Sequence, residues 1–262
     1  MENYSPLCNV PRPFRNESIC SWITRLALSQ GVSISAMLNY LELKVFLDFD
    51  YQIEKLNIDS ISKKTGLAIS DFKSQRTFFS SLRKYEYRSK RYLMRHKRNK
   101  RFRFCPLCLK EDEIPYFRLE WRFKLCVSCP THKCLLEDNC DHCKSPIFLP
   151  TNLFSKVSDS RPLESLANCP SCGSQLQKIN PAFFRDQLYE AMDLRSKRFI
   201  ESGEFLLTTL YKGTHAVTRE LREQEPSFSK QCRNNKIQFK WTARTWRLKV
   251  KRYLKANPMV LT

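Results

Sequence analysis

The sequence predicts a mainly α protein with small β zinc-ribbon modules. Two observations carry this reading. Apolar residues recur at helical spacing toward both ends, and the middle holds closely paired cysteines and a Cys-x-x-His. Three segments follow: an N-terminal helical helix-turn-helix domain with a basic segment over 1–104, a tandem zinc-ribbon domain over 105–179, and a C-terminal helical basic domain over 180–262.

Pro6, Pro11 and Pro13 forbid regular structure near the start, so residues 1–16 read as an arm. Asn16 is placed to cap a helix from Glu17 to Gln30, with Ile19, Trp22, Ile23, Leu26 and Ala27 on one face. Gly31 stops it, and Ser33 caps a second helix with Ile34, Met37, Leu38 and Leu41 inward. Ile58 to Thr77 reads as a helix-turn-helix. Ile61 and the small Ser62 sit on its first helix, Gly66 makes the turn, and Ser70 caps a second helix with Phe72 inward. On that second helix Lys73, Ser74, Arg76 and Thr77 are the expected outward positions. A polar insertion occupies 150–167. Past Pro181 the helical period returns at Phe184, Leu188 and Met192, then from Phe205 to Leu210, and last at Trp246, Val250 and Leu254.

The 46 Lys+Arg against 26 Asp+Glu give a formal charge of +20, which favours a polyanionic partner. Eleven basic residues fall between Leu82 and Phe104, opposed only by Glu86, and nine more between Arg233 and Lys255 with no acid. Aromatic residues interleave in both runs, as they do where phosphates are neutralised and bases stacked. Lys73, Arg76, Arg83, Lys84, Arg95, Lys97, Arg98, Lys100, Arg101, Arg244, Arg247 and Lys251 are the candidate nucleic-acid contacts. An acidic protein surface would be served equally by this charge. No apolar run is long enough to cross a bilayer, and the N-terminus has no secretory pattern, so a cytoplasmic location is expected. With only 5 Gly and no G-x-x-x-x-G-K-[ST], the chain lacks the phosphate loop of an NTPase.

In a reducing compartment the 12 Cys read as metal ligands. Cys105-x-x-Cys108, Cys140-x-x-Cys143 and Cys169-x-x-Cys172 are clean pairs, and Cys126-x-x-Cys129 overlaps Cys129-x-x-His132. Two residues between ligands let one metal take both from a tight turn, and a tetrahedral site needs two such pairs. The economical assignment is two structural Zn²⁺ ions. One takes Cys105, Cys108, Cys129 and His132, and the other takes Cys140, Cys143, Cys169 and Cys172. For the first, Cys105, Cys108, Cys126 and Cys129 is the alternative. Either way the shells are closed, with no position for a catalytic water. Cys126 and Cys134 are then small core residues or spare thiols, and Cys8, Cys20 and Cys232 are read as buried small hydrophobes.

Two catalytic readings fail on the residues. Asp141-His142 is similar to the Asp-His pair of HNH nucleases, but His142 lies between two ligands and no downstream Asn and His set follows. Asp48, Asp50 and Glu54 look like a Mg²⁺ triad, yet no further carboxylate completes a two-metal site, and a solvated loop is the plainer expectation.

The order of these features resembles the TniQ family, the target-selection subunits of transposons. Three stretches carry the likeness. They are Pro11-Arg12-Pro13 with Glu17-Ser18 and Ser21 to Ala27; Phe104 to Leu109 with Tyr116-Phe117-Arg118 and Trp121-Arg122; and Cys129 to His132 with Leu135-Leu136 and Cys140 to Cys143. The resemblance favours His132 as the fourth ligand of the first site. This chain departs from the family in Cys126 and in Lys133-Cys134, where Gly or Ala usually follows the histidine. The resemblance implies a non-enzymatic, DNA-binding adaptor that links target DNA, or a target-bound complex, to a AAA+ ATPase and so indirectly to a transposase. Some members dock on CRISPR effector complexes as dimers, so a homodimer is among the implied states. It also implies a bacterial, nucleoid-associated setting. A sequence-specific helix-turn-helix repressor with structural zinc sites is the second expectation.

Overall fold

Serine caps organise the N-terminal helices. In the computed structural model, which describes residues 7–44, 48–85, 93–96, 99–124, 126–152, 165–181, 207 and 210–212, helix α1 spans Ile19–Ser29. The Ser18 hydroxyl accepts from the Cys20 and Ser21 amides, and the Asp50 carboxylate accepts from Ile19 N–H at 2.6 Å. Asn16 is therefore not the cap. Its side chain is engaged by Tyr116, whose hydroxyl donates to Asn16 Oδ1 at 2.8 Å. Gly31 has φ +64°, a conformation in which an added Cβ would be strained, and the chain turns there into helix α2, Ile34–Tyr40. Ser33 caps α2 as expected, accepting from Ala36 N–H at 3.1 Å.

Helix α3, Ile58–Thr65, ends at Gly66 with φ +71°, and its amide bonds back to Ser62 O at 2.8 Å. The Ser62 hydroxyl donates to the Leu67 carbonyl across the turn, which is why a small polar residue suits that position. The chain enters helix α4, Lys73–Tyr85, through a 3-10 turn at Ile69–Phe72. Because of that turn the exposed donor is Ala68 N–H, and Asp71 satisfies it at 2.9 Å. Ser70 lies inside the turn and is not the cap. Gln75, Phe78, Phe79 and Leu82 form the buried stripe of α4. Phe72 packs edge-on against Trp22 of α1, with ring centroids 5.1 Å apart.

The basic segment after α4 becomes a small antiparallel sheet. Strands β1 (Arg95–His96), β2 (Asn99–Phe102) and β3 (Ile147–Phe148) lie in that order, with Arg95 opposite Lys100 and Phe102 opposite Ile147. Helix α5, Pro106–Glu111, follows. Phe117 stands at the centre of an aromatic cluster. Its ring centroid lies 5.7 Å from Phe102, 6.3 Å from Phe104 and 5.6 Å from Trp121. One continuous buried cluster runs from Ile19 to Leu210, with members on both sides of position 104. Leu210 and Tyr211 belong to a helical piece that reaches this core. The Tyr211 hydroxyl donates to Glu120 at 2.7 Å and its ring lies 4.8 Å from Phe78. The helices expected around Phe184 and Trp246 lie outside the described residues.

Asp48 and Asp50 are not in a solvated loop, and this corrects the sequence expectation. Both are buried and face the fully buried Arg122, whose Nη1 donates to Asp48 and to Asp50 at 2.6 Å each. The Arg122 guanidinium holds the Asp48 carboxyl below its ordinary range, against the burial that raises it. A neighbouring pair, Glu17 and Arg25, is also buried at 2.5 Å. Burial pushes the Glu17 carboxyl up to about 7, opposed by Arg25, the Ser21 hydroxyl and the Phe14 amide.

Removing one partner of a buried ion pair strands the other charge. Arg122→Met is expected to destabilise the metal-loaded protein by about 3–5 kcal/mol, read from urea unfolding. A loss below ~1 kcal/mol, the value of an exposed pair, would show that water reaches this cluster.

Candidate metal centres and basic surface

Three hairpins of the same design build the cysteine-rich region. Each begins with a cysteine, and the residue four positions on returns its amide to that cysteine's carbonyl. These bonds are Lys133 N–H to Cys129 O at 2.9 Å, Lys144 N–H to Cys140 O at 3.0 Å and Gly173 N–H to Cys169 O at 2.8 Å. All three donors have positive φ, +50°, +59° and +74° respectively. Antiparallel bridges then close each hairpin, Ser128 to Leu135, Asn139 to Pro146 and Asn168 to Gln175. The turn requires the left-handed conformation, which glycine adopts without strain. Lys133 and Lys144 occupy it at a cost.

Cys105 and Cys108 come from the other type of knuckle, the start of α5. Cys105 is the N-cap and its sulfur accepts from Cys108 N–H at 3.5 Å, while Pro106 opens the helix with its preset φ. The four expected donors of the first site converge. Nδ1 of His132 lies 3.5 Å from Cys105 Sγ, 3.3 Å from Cys108 Sγ and 3.5 Å from Cys129 Sγ. The second set converges as well, with Cys140 Sγ and Cys172 Sγ 3.7 Å apart and Cys143 Sγ and Cys169 Sγ also 3.7 Å apart. Within each set all donor atoms lie within 4.8 Å of one another. A tetrahedron with Zn–S bonds of about 2.3 Å has edges of about 3.8 Å, so both sets could hold a metal ion and their spacing is compatible with zinc. The Cys126 sulfur lies 3.7 Å from the Ser128 carbonyl and belongs to neither converging set.

Protonation shows what a metal would displace. Around the first set, hydrogen bonding with the Cys108, Cys129 and Cys134 thiols lowers the Cys105 thiol, and hydrogen bonding with Cys105 and Cys129 pushes Cys108 up. In the second, burial raises Cys169, whereas at Cys143 burial is outweighed by hydrogen bonds from Ser145, Cys172 and Cys169 together, which bring it to about 6. A bound metal takes over the stabilisation of these thiolates, so loading releases protons.

Two features of the first site were not legible in the sequence. Cys134, fully buried, places its sulfur 3.5 Å from Cys105 Sγ. Glu111, the last residue of α5, meets His132 Nε2 at 2.8 Å. With Nε2–H donating to Glu111, Nδ1 is left to face the thiolates, so the carboxylate selects the tautomer a metal needs. Such a residue has no spacing rule. Its register on α5 puts it over the ring. Cys20 is buried as expected, but Cys8 is exposed, and Cys232 lies outside the described residues.

The expected nucleic-acid contacts separate into distinct groups. Lys73, Arg76 and Arg95 are exposed. Arg83 pairs with Glu54 at 2.7 Å, and Arg101 bonds Asn139 at 3.0 Å. Lys100 is buried with its ammonium 5.3 Å from the Phe49 ring centroid. Arg103, in the same run, is buried and donates to Asp138 at 2.9 Å and to the Cys126 carbonyl at 2.7 Å. Ser74 and Thr77 are half-buried. Lys97, Arg98, Arg244, Arg247 and Lys251, and the side chain of Lys84, lie outside the described residues. No described helix is long and apolar enough to cross a membrane.

A helical unit is joined to cysteine knuckles by a small sheet, and two four-donor clusters there could hold metal ions. A TniQ family model matches residues 9–136, and this segment is a TniQ domain. The match spans α1 to α4 and the whole first cluster, and ends before the second. No curated protein matches the chain.

The parent protein is expected to take up two zinc ions by mass spectrometry under native conditions, and Cys105→Ser and Cys140→Ser one fewer each. Glu111→Ala should weaken retention at the first site alone by about 10–100-fold in a chelator competition. Equal zinc loss from both sites would contradict that role. Lys144→Gly should raise stability by about 1 kcal/mol through relief of the left-handed turn.

Proposed function

We propose that this chain is a DNA-binding target-selection adaptor of a transposon. It holds target DNA, or a complex already on the target, and recruits a AAA+ ATPase that in turn engages the transposase. The TniQ match over residues 9–136 is the observation that carries the reading. Two structural zinc ions, held by Cys105, Cys108, Cys129 and His132 and by Cys140, Cys143, Cys169 and Cys172, order the region between the helical ends. Each such ion contributes roughly 10–16 kcal/mol of apparent binding free energy, which offsets the small apolar core available to the knuckles. Closed shells fit structural ions, since every donor position is taken by the protein.

A second reading draws on α3, the Gly66 turn and α4, whose second helix exposes Lys73 and Arg76. A stand-alone repressor would read an operator with that helix, and Arg76→Ala would then relax sequence preference as well as weaken binding.

Co-purification of this chain with the AAA+ ATPase of its own mobile element, with and without DNA, separates the two. The adaptor reading expects a ternary complex on DNA and no DNA cleavage by this chain in Mg²⁺. A tight operator complex with no ATPase association on any DNA would overturn it in favour of the repressor.

A further inference from the structure

We infer that the N-terminal arm over residues 11–17 is a preformed phosphate clamp continuous with the start of α4, and that Arg12 and Arg15 join Lys73 and Arg76 in gripping the backbone of duplex DNA. The inference rests on the DNA-binding reading above and adds residues from a different part of the chain.

The arm has no helix or strand of its own, yet its backbone is held at several points. The Trp22 indole N–H donates to Pro11 O at 2.8 Å. Gln75 of α4 donates through Nε2 to Phe14 O at 2.9 Å and to Glu17 O at 3.1 Å. The Phe14 ring stacks on Tyr116 at 4.4 Å between centroids, with the Arg25 guanidinium 4.5 Å from its centroid. Pro11 and Pro13 add their fixed φ. The two residues between these anchors that remain exposed are both arginine, Arg12 and Arg15.

Gln75 fixes where this arm lies. It is fully buried, and its neighbours on α4, Lys73 and Arg76, are exposed. The arm backbone is thus tied to the first turn of α4, which carries Lys73 and Arg76. The cations of the arm and this turn differ from those held in ion pairs, although Lys55, Arg95 and Lys110 elsewhere are also exposed. Arg25, Lys64, Arg83, Arg103, Arg118 and Arg122 are each paired with a named carboxylate. Arg12, Arg15, Lys73 and Arg76 make no ion pair among the described residues. Cations left unpaired on a rigid frame, in a chain of charge +20, complement a regular polyanion. Guanidinium groups suit phosphate in particular, because their fork matches two oxygens.

The test is fluorescence anisotropy of the full-length, zinc-loaded protein on a labelled DNA duplex across a salt series. Replacing Arg12 and Arg15 together by Ala should lower the slope of log K against log salt by about 2, since each phosphate contact contributes about 0.9. Arg12→Lys with Arg15→Lys should keep the parent slope. Gln75→Ala removes no charge but frees the arm, and should weaken binding at unchanged zinc content and near-UV circular dichroism. A parent slope retained in the double alanine variant overturns this inference and leaves the adaptor reading standing. A parent that binds no duplex at any salt overturns the DNA-binding reading and the clamp together, and points instead to an acidic protein partner.

Discussion

Arg122 is the interaction on which the arrangement of the molecule depends. Its guanidinium meets Asp48 and Asp50 with no exposure to solvent. Asp50 in turn accepts from the Ser18 hydroxyl and from the amides of Ile19 and Cys20 at the start of α1. Three stretches far apart in sequence are thereby tied at one point. A buried charge cluster of this kind is weak as a source of net stability, because desolvation offsets the Coulomb attraction. It is strong as a specifier, because any other packing of α1 leaves carboxylates buried without a partner. The same logic holds for Glu17, which takes Arg25, Ser21 and the Phe14 amide at once. Each of these acids sits beside an α1 terminus or the arm that precedes it. The N-terminal region is therefore held in place by electrostatics as much as by its apolar stripe.

The cysteine-rich region follows a different rule. Its hairpins are short, their ladders consist of single bridges, and ligand convergence adds to the apolar contacts that Leu135, Leu136, Ile147 and Leu176 make with the shared core. The two regions meet through β2. Its Phe102 enters the aromatic cluster around Phe117, and its Arg101 and Phe102 pair with Phe148 and Ile147 beyond the second knuckle. The turn at Leu176–Lys178 returns to pack on α5, so the far end of the second module rests on the helix that begins the first. Metal loss at either cluster would thus be felt beyond its own hairpins.

Local signals were legible where one residue type has one physical use. Ser33 as a cap, Gly66 as a left-handed turn and seven of the eight converging donors follow from spacing and short-range chemistry, while the choice of His132 over Cys126 comes from the family resemblance. What escaped were choices among competing partners at long range. Asn16 is a good cap by type, but Tyr116 engages it and Ser18 with Asp50 takes over the helix end. Asp48 and Asp50 look solvated until Arg122 is placed between them. Within the run from Leu82 to Phe104, charge alone does not distinguish Arg95, which is exposed, from Lys100 and Arg103, which are buried. Tertiary partners separate them, since Lys100 lies against the Phe49 ring and Arg103 donates to Asp138 and the Cys126 carbonyl. Cys134 and Glu111 reach the first cluster through a hairpin register and a helix register that no ligand spacing encodes.

A consistent picture of function joins these parts. Rigid knuckles and buried ion pairs present a TniQ domain whose unpaired cations face outward, and no cluster among the described residues offers an open metal position. Selection of bound fragments from a random DNA library, by the zinc-loaded chain alone, tests the central claim most directly. The account predicts recovered duplex DNA whose binding weakens as salt rises, as phosphate contacts require. An enriched motif would assign target choice to α4, and its absence would assign that choice to a partner complex. Failure to retain any DNA even at low salt would contradict the account.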